Sequence, residues 1–218
     1  MHDRWARGAN MHPNQAFHTA TDQQNANFAR ERAFGILSVA PGDGPPMLSH
    51  VPFILDAEGG VAELHLVRSN PIARALKTPL PARIAVSGPD SYISPDWYLV
   101  DDQVPTWNYV AVHLTGTLEL RPQEELPHLL ARQTEFFESQ LLPKPPWTLD
   151  KMSDEALAKM MRMIVPCWMR VEATDGTWKL NQNKTDDARN SAADAVDAYG
   201  IGAETRILAA LMRGAGQP

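Results

Sequence analysis

The chain has 218 residues, 44% of them hydrophobic, and a formal net charge of −6, so it can bury a core without staples and has no general attraction to nucleic acid. Its single cysteine, Cys167, excludes an internal disulfide, and the lack of a Cys-x-x-Cys pair argues against zinc. No run approaches the roughly 18 apolar residues that cross a bilayer, and Met1–Arg7 has no apolar stretch after its charges. A cytoplasmic, reduced setting is therefore expected, with no membrane partner.

Residues 1–20 are polar and read as a flexible N-terminal arm ahead of a single domain over residues 21–218. Thr21 or Asp22 can cap a helix over Gln23–Ala33. Gly35–Ala40 reads as a strand, closed by the turn cluster Pro41–Pro46. Met47–Leu55 and Val61–Val67 form a hairpin across Asp56–Gly60, with Ala62, Leu64 and Leu66 on one face of the later strand. Pro71–Leu76 is a short helix beginning at proline, and Ala82–Ser87 is another strand.

The next stretch packs Pro89, Pro95 and Pro105 together with Trp97, Trp107, Tyr92, Tyr98 and Tyr109, in a chain only 7% aromatic. Each proline pushes its predecessor towards extended backbone, so no long helix runs here. The aromatics form either a rigid corner of a barrel core or the wall of a pocket for a flat ligand. Val110–Leu120 then alternates cleanly, as a half-buried strand does.

Beyond it the pattern turns helical, at about 124–164 and 187–213. Glu124–Leu141 carries Leu126, Leu129, Leu130, Phe136 and Phe137 near helical spacing, and Ser153 caps Asp154–Ile164. The Leu157, Met160, Met161 and Ile164 stripe on that second helix reads as core. Trp168–Ala173 and Thr177–Leu180 are expected to pair as a hairpin across Asp175-Gly176. Strands followed by helices define a mainly β, α+β class, an antiparallel barrel with an N-terminal helix and C-terminal helical attachments.

Gly88-Pro-x-x-Tyr-Ile-Ser-Pro-x-Trp97-Tyr98, followed by Val104-Pro-Thr-Trp-Asn-Tyr-x-x-Val-His113, resembles the PaiB family of FMN-binding negative transcriptional regulators. Met11-His-Pro13, Ser49-His-Val-Pro52, His65-Leu-Val-Arg-Ser-Asn-Pro71 and Lys179-Leu-Asn-Gln-Asn183 extend the resemblance over roughly residues 11–190. It implies an FMN-binding split β-barrel, a homodimer with two flavins in the grooves between subunits. The short acidic link Leu99–Gln103 departs from the family's longer one, and Asn181 stands where the family usually has Ser.

Between Leu64 and Pro89 there is no acidic residue, yet Arg68, Arg74, Lys77 and Arg83 all fall there. The run is either a phosphate site or a solvated basic face. Arg68, Ser69 and Asn70 lie between a strand end and a helix start, where backbone N–H groups favour an anion, and Arg68 is the expected phosphate anchor. The resemblance places His50 and Val51 where a strand backbone runs along the flavin ring, and Trp107 and Asn108 near the dimer groove. Lys179 and Gln182, with Asn183, either reach the flavin from the partner subunit or end a strand in water. Cys167, in an apolar Val-Pro-Cys-Trp-Met context, reads as a buried thiol. No nucleophile elbow, P-loop, dinucleotide fingerprint or helix-turn-helix is present, and the three strand histidines lack metal-ligand spacing. Two functions remain open: a flavin-binding regulator with doubtful direct DNA binding, or an FMN-dependent oxidoreductase of flavin-reductase or pyridoxamine-phosphate-oxidase type.

Overall fold

A computed structural model describes residues 11–40, 42 and 44–215; residues 1–10 of the expected arm lie outside them. Six strands close a barrel in the order β1-β2-β3-β6-β5-β4. They are β1 (Phe34–Val39), β2 (Met47–Leu55), β3 (Val61–Val67), β4 (Leu80–Ile93), β5 (Thr106–Leu120) and β6 (Ile164–Lys179). The helices are α1 (Asp22–Arg32), α2 (Pro71–Ala75), α3 (Leu126–Ser139), α4 (Asp154–Met161), α5 (Asp186–Tyr199) and α6 (Thr205–Gly214). Two compact units divide the chain: Ala26–Val86 with His113–Thr174, and residues 11–25 with Ser87–Val112 and the residues from Asp175 onward.

The first unit holds most of the apolar core. Along β3 the buried positions are Ala62, Leu64 and Leu66, and along β5 they include Leu114 and Leu118. The period of two puts every other side chain inside the barrel, where each large one contributes roughly 1.5–3 kcal/mol by leaving water. Arg30 of α1 donates to the carbonyl oxygens of Leu55, Asp56 and Ala57, which fixes that helix to the β2–β3 turn. Inside α3, Gln133 is 5% exposed and bonds both the His65 ring at 2.9 Å and the Glu63 carbonyl at 3.3 Å.

In the second unit, Thr21 and Gln24 cap each other's backbone at 3.2 and 2.8 Å, the reciprocal arrangement that starts α1. Met11 N donates to Asp175 at 2.7 Å, His18 lies 3.5 Å from the same carboxylate, and Phe17 is buried. Helices α5 and α6 pack together through Ala192, Val196, Leu208 and Met212, with a buried Arg189 bonded to Asp186 and the Met212 carbonyl. The turn between them lies beside β4: Asp90 N and Tyr92 N donate to the carbonyls of Ala203 and Ile201.

Three sequence expectations change. The Asp175-Gly176 hairpin does not exist; β6 is one strand of 16 residues running through both segments. Gly176 is there for contact rather than for a turn, because a Cβ on it would lie 2.0 Å from Asn25 Oδ1, whose amide receives the Trp178 indole N–H. The strand expected at Ala82–Ser87 runs on to Ile93. Its buried side switches from even to odd positions across Gly88–Pro89, which lets a proline into a strand by inserting one residue into the alternation. The Met stripe of α4 is not core: that helix buries none of its residues, and Met160 is 59% exposed.

Gly116 of β5 faces β6 so closely that an added Cβ would lie 1.8 Å from the Arg170 carbonyl oxygen. A backbone oxygen cannot rotate aside, so Gly116→Ala is expected to cost about 1–3 kcal/mol. For a chain of this size that lowers the thermal midpoint by roughly 2–12 °C. A scanning calorimetry trace unchanged by the substitution would refute the close approach.

Candidate functional site

The residues singled out from sequence fall into two groups, one in each unit. In the first unit, β2 pairs with β1 from Pro52 back to Met47, but its register with β3 covers only Phe53–Leu55 against Leu64–Ala62. From Ser49 to Val51 the β3-facing edge of β2 therefore leaves the ladder, and its backbone groups are available to a ligand. His50 is exposed there and stacks on Phe34 with ring centroids 6.3 Å apart, while Val51 points into the core.

The end of β3 stands next to that edge. Asn70 caps α2 by accepting from Ile72 N at 2.9 Å, and its Nδ2 donates to Ser49 Oγ at 3.1 Å, bridging the two strands where their ladder has ended. Ser69 is exposed. Arg68 is held by its own bonds: Nε donates to the Arg162 carbonyl at 3.1 Å, and Nη2 to Gln123 Oε1 at 3.0 Å and the Ile164 carbonyl at 3.4 Å. These contacts fix the corner between α4 and β6 and leave Nη1 without a partner among the described residues. Arg83 donates to Thr115 Oγ1 at 3.0 Å. Among the described residues no carboxylate pairs with Arg68, Arg74, Lys77 or Arg83, so four positive charges in this unit stand uncompensated.

In the second unit, strand parity separates the neighbours Trp107 and Asn108. Trp107 is 46% exposed and meets Tyr92 edge-on at 6.3 Å, whereas Asn108 faces the barrel interior, fully buried, with neither amide atom bonded among the described residues. Lys179 Nζ donates to Thr106 Oγ1 and lies 5.8 Å from the centre of the Phe17 ring; burial lowers its pKa. Gln182 folds onto its own turn, accepting from Leu180 N at 2.8 Å and donating to the Trp178 carbonyl. Neither side chain ends in open water.

Sequence reading missed the partners around that turn. Asn181 has φ +64° and accepts from the Tyr98 hydroxyl at 3.2 Å, and burial pushes the Tyr98 pKa up. Lys184 lies 5.0 Å from the Tyr98 ring centre and donates to Gln103. Asn at a position with positive φ is the available signal, since Asn tolerates that conformation better than other non-glycine residues.

FMN requires an anion site, a flat surface and hydrogen-bonding groups along a ring edge. The first unit offers all three: Arg68, unpaired with any carboxylate among the described residues, next to Ser69, the Phe34–His50 stack, and the open edge at Ser49–Val51. No group of three or more His, Cys, Asp or Glu able to hold a metal occurs among the described residues. Nor is any described helix long and apolar enough to cross a membrane.

Solved structures share the architecture. The FAD and heme binding protein from Mycobacterium smegmatis superposes with a TM-score of 0.53 at 15% identity, covering 74% of this chain and 72% of that one. Flavocytochrome Anf3 from Azotobacter vinelandii gives 0.53 at 13% identity, covering 73% and 68%. The fold is the split barrel of flavin-binding proteins. A family described as "Putative FMN-binding domain" matches residues 11–173. Protease synthase and sporulation protein PAI 2 of Bacillus subtilis is 30% identical over 162 residues, 73% of this chain and 76% of that protein. The chain belongs to this family, the PaiB family of FMN-binding proteins, and FMN is its cofactor.

Cys167 lies apart from this chemistry. It has no exposure, and burial pushes its thiol up to about 12. At pH 8 the native thiol stays protonated and resists iodoacetamide, whereas guanidinium-unfolded chain takes up one equivalent. Between the ordinary value of 9.0 and about 12 the unfolded chain releases this proton and the native one keeps it. The thiol therefore erodes stability only as pH rises through that window. Rapid native alkylation at pH 8 would contradict the buried placement.

Proposed function

We propose that the protein acts as an FMN-binding homodimer and negative transcriptional regulator of PaiB type. The flavin ring lies along the Ser49–Val51 edge of β2, and the phosphate is held at Arg68 and Ser69. The observation that carries this reading is the early end of the β2–β3 ladder beside the strand end bearing Arg68. When bound, FMN supplies reversible one- or two-electron redox chemistry. This chain's own residues bind and orient it. The bonds from Arg68 to the Arg162 and Ile164 carbonyls aim its guanidinium, and Asn70 fixes the distance between the two strands. Ser49 and Val51 offer backbone groups to the ring.

A second copy of the chain completes the groove in this reading. Phe34, Leu48 and Val67 flank the open edge of β2 and are 53%, 63% and 50% exposed, more large apolar surface than a lone barrel wall ordinarily leaves in water. Regulation through direct non-specific DNA contact lacks its electrostatic term at a net charge of −6, so any action on DNA needs a local basic patch or a partner. Light scattering is expected to give twice the 24.1 kDa chain mass at micromolar concentration; a monomer mass rules the shared groove out.

Arg68→Ala separates a phosphate site from a basic face. Loss of a charge-assisted contact of roughly 1.5–3 kcal/mol weakens FMN binding roughly 10- to 150-fold. Riboflavin lacks the phosphate. Any loosening of the α4–β6 corner weakens both ligands alike, so the ratio of the two affinities isolates the phosphate. Titrations in which FMN and riboflavin lose equally would move the phosphate away from Arg68.

A further inference from the structure

A well-defined cavity outside the proposed flavin site lies on the outer side of α3, in the first unit. It has a volume of about 660 Å³, within the range of roughly 300–1,000 Å³ typical of small-molecule sites. Its apolar walls are Ala131 on the helix and Leu142, Pro146, Trp147 and Leu149 on the segment that folds back over it. That segment is tied down: Trp147 N donates to Glu138 Oε2 at 2.8 Å, Lys144 pairs with the same carboxylate, and Lys144 N donates to the Leu141 carbonyl at 3.0 Å. Lys144 holds the Glu138 carboxyl below the usual range. The cavity is therefore shaped by the chain itself.

Its charge is one-sided. Glu135 and Asp150 line it, and neither pairs with a cation among the described residues. The nearby cations are committed elsewhere. Lys144 is bound to Glu138 and the Pro145 carbonyl, Lys151 to the Pro146 carbonyl at 3.2 Å, and Arg132 to Glu63 at 2.7 Å. An indole wall beside two free carboxylates attracts a positive charge carried on an apolar body, since the ring face and the carboxylates act on the cation together. An anion meets no donor cation there.

We propose that this cavity binds a hydrophobic organic cation, a compact apolar molecule bearing one positive charge. The site is independent of the flavin reading, because no residue is shared between them. On the inner side of the same helix, Gln133 bonds His65, three residues before Arg68.

The test uses the full chain with its FMN and two ions of matched shape and opposite charge, tetraphenylphosphonium and tetraphenylborate, titrated by calorimetry. Tetraphenylphosphonium is expected to saturate at one per chain, with tetraphenylborate at least roughly tenfold weaker. Glu135→Gln/Asp150→Asn is expected to weaken the cation roughly tenfold and to erase the preference between the ions. Trp147→Leu is expected to weaken the cation as well, by removing the indole face. Asp101→Asn/Asp102→Asn, a control on exposed carboxylates of the other unit, is expected to change the affinity by less than about twofold. Thermal midpoints near that of the parent establish that each variant is folded. Equal binding of the two ions, no saturation below 1 mM, or an equal loss in the control pair overturns the proposal.

Discussion

In a closed barrel every strand residue points either in or out, and this two-valued constraint governs where chemistry can be done. His50 points out and Val51 in; Trp107 points out and Asn108 in. Adjacent residues in one motif thus serve different purposes, one set offering side chains to a ligand and the other holding the wall. Where the alternation slips, at Gly88–Pro89, the chain exchanges its faces and a proline enters a long strand without breaking it. The remaining freedom lies in backbone groups where a ladder ends early, and the Ser49–Val51 edge of β2 is such a place.

Much of the barrel was legible because its strands carry the period of two openly. Met47–Leu55 and Val61–Val67 fall where alternation and a Gly-containing turn place them. The last strand was misread because Asp-Gly ordinarily marks a hairpin, while here Gly176 makes room for Asn25 from a distant part of the chain. Local sequence carries no trace of such a contact. The α4 stripe misleads for the opposite reason: periodic Leu and Met spell an amphipathic helix whether or not this chain supplies the surface that covers it. In the candidate site, composition exposed the basic run around Arg68, but not that its guanidinium is also a structural clamp. Nor could pattern alone show that Asn181 would meet Tyr98, 83 positions away.

Arg68 illustrates how an exposed arginine can be made stiff. An arginine free in water loses much rotamer freedom when it grips a ligand, and that loss subtracts from affinity. Carbonyls from two residues and a glutamine already hold this one. Most of its ordering is complete before any anion arrives. Lys could not substitute equivalently, because a point charge has no fork with which to hold two carbonyls and a glutamine by one side and leave a donor free on the other.

The turn between α5 and α6 has a consequence of its own. Pairing of β1 with β4 stops at Ala85, and farther along it is Ile201 and Ala203 that take the N–H groups of Tyr92 and Asp90. These few residues act as a guard rail along a strand that would otherwise present open hydrogen-bonding groups. Such edges recruit other chains into intermolecular sheets. A product truncated after α5 would expose this stretch of β4, giving a protein whose barrel residues are intact but whose solubility is compromised. The turn thus occupies part of the β4 edge as well as joining the two helices.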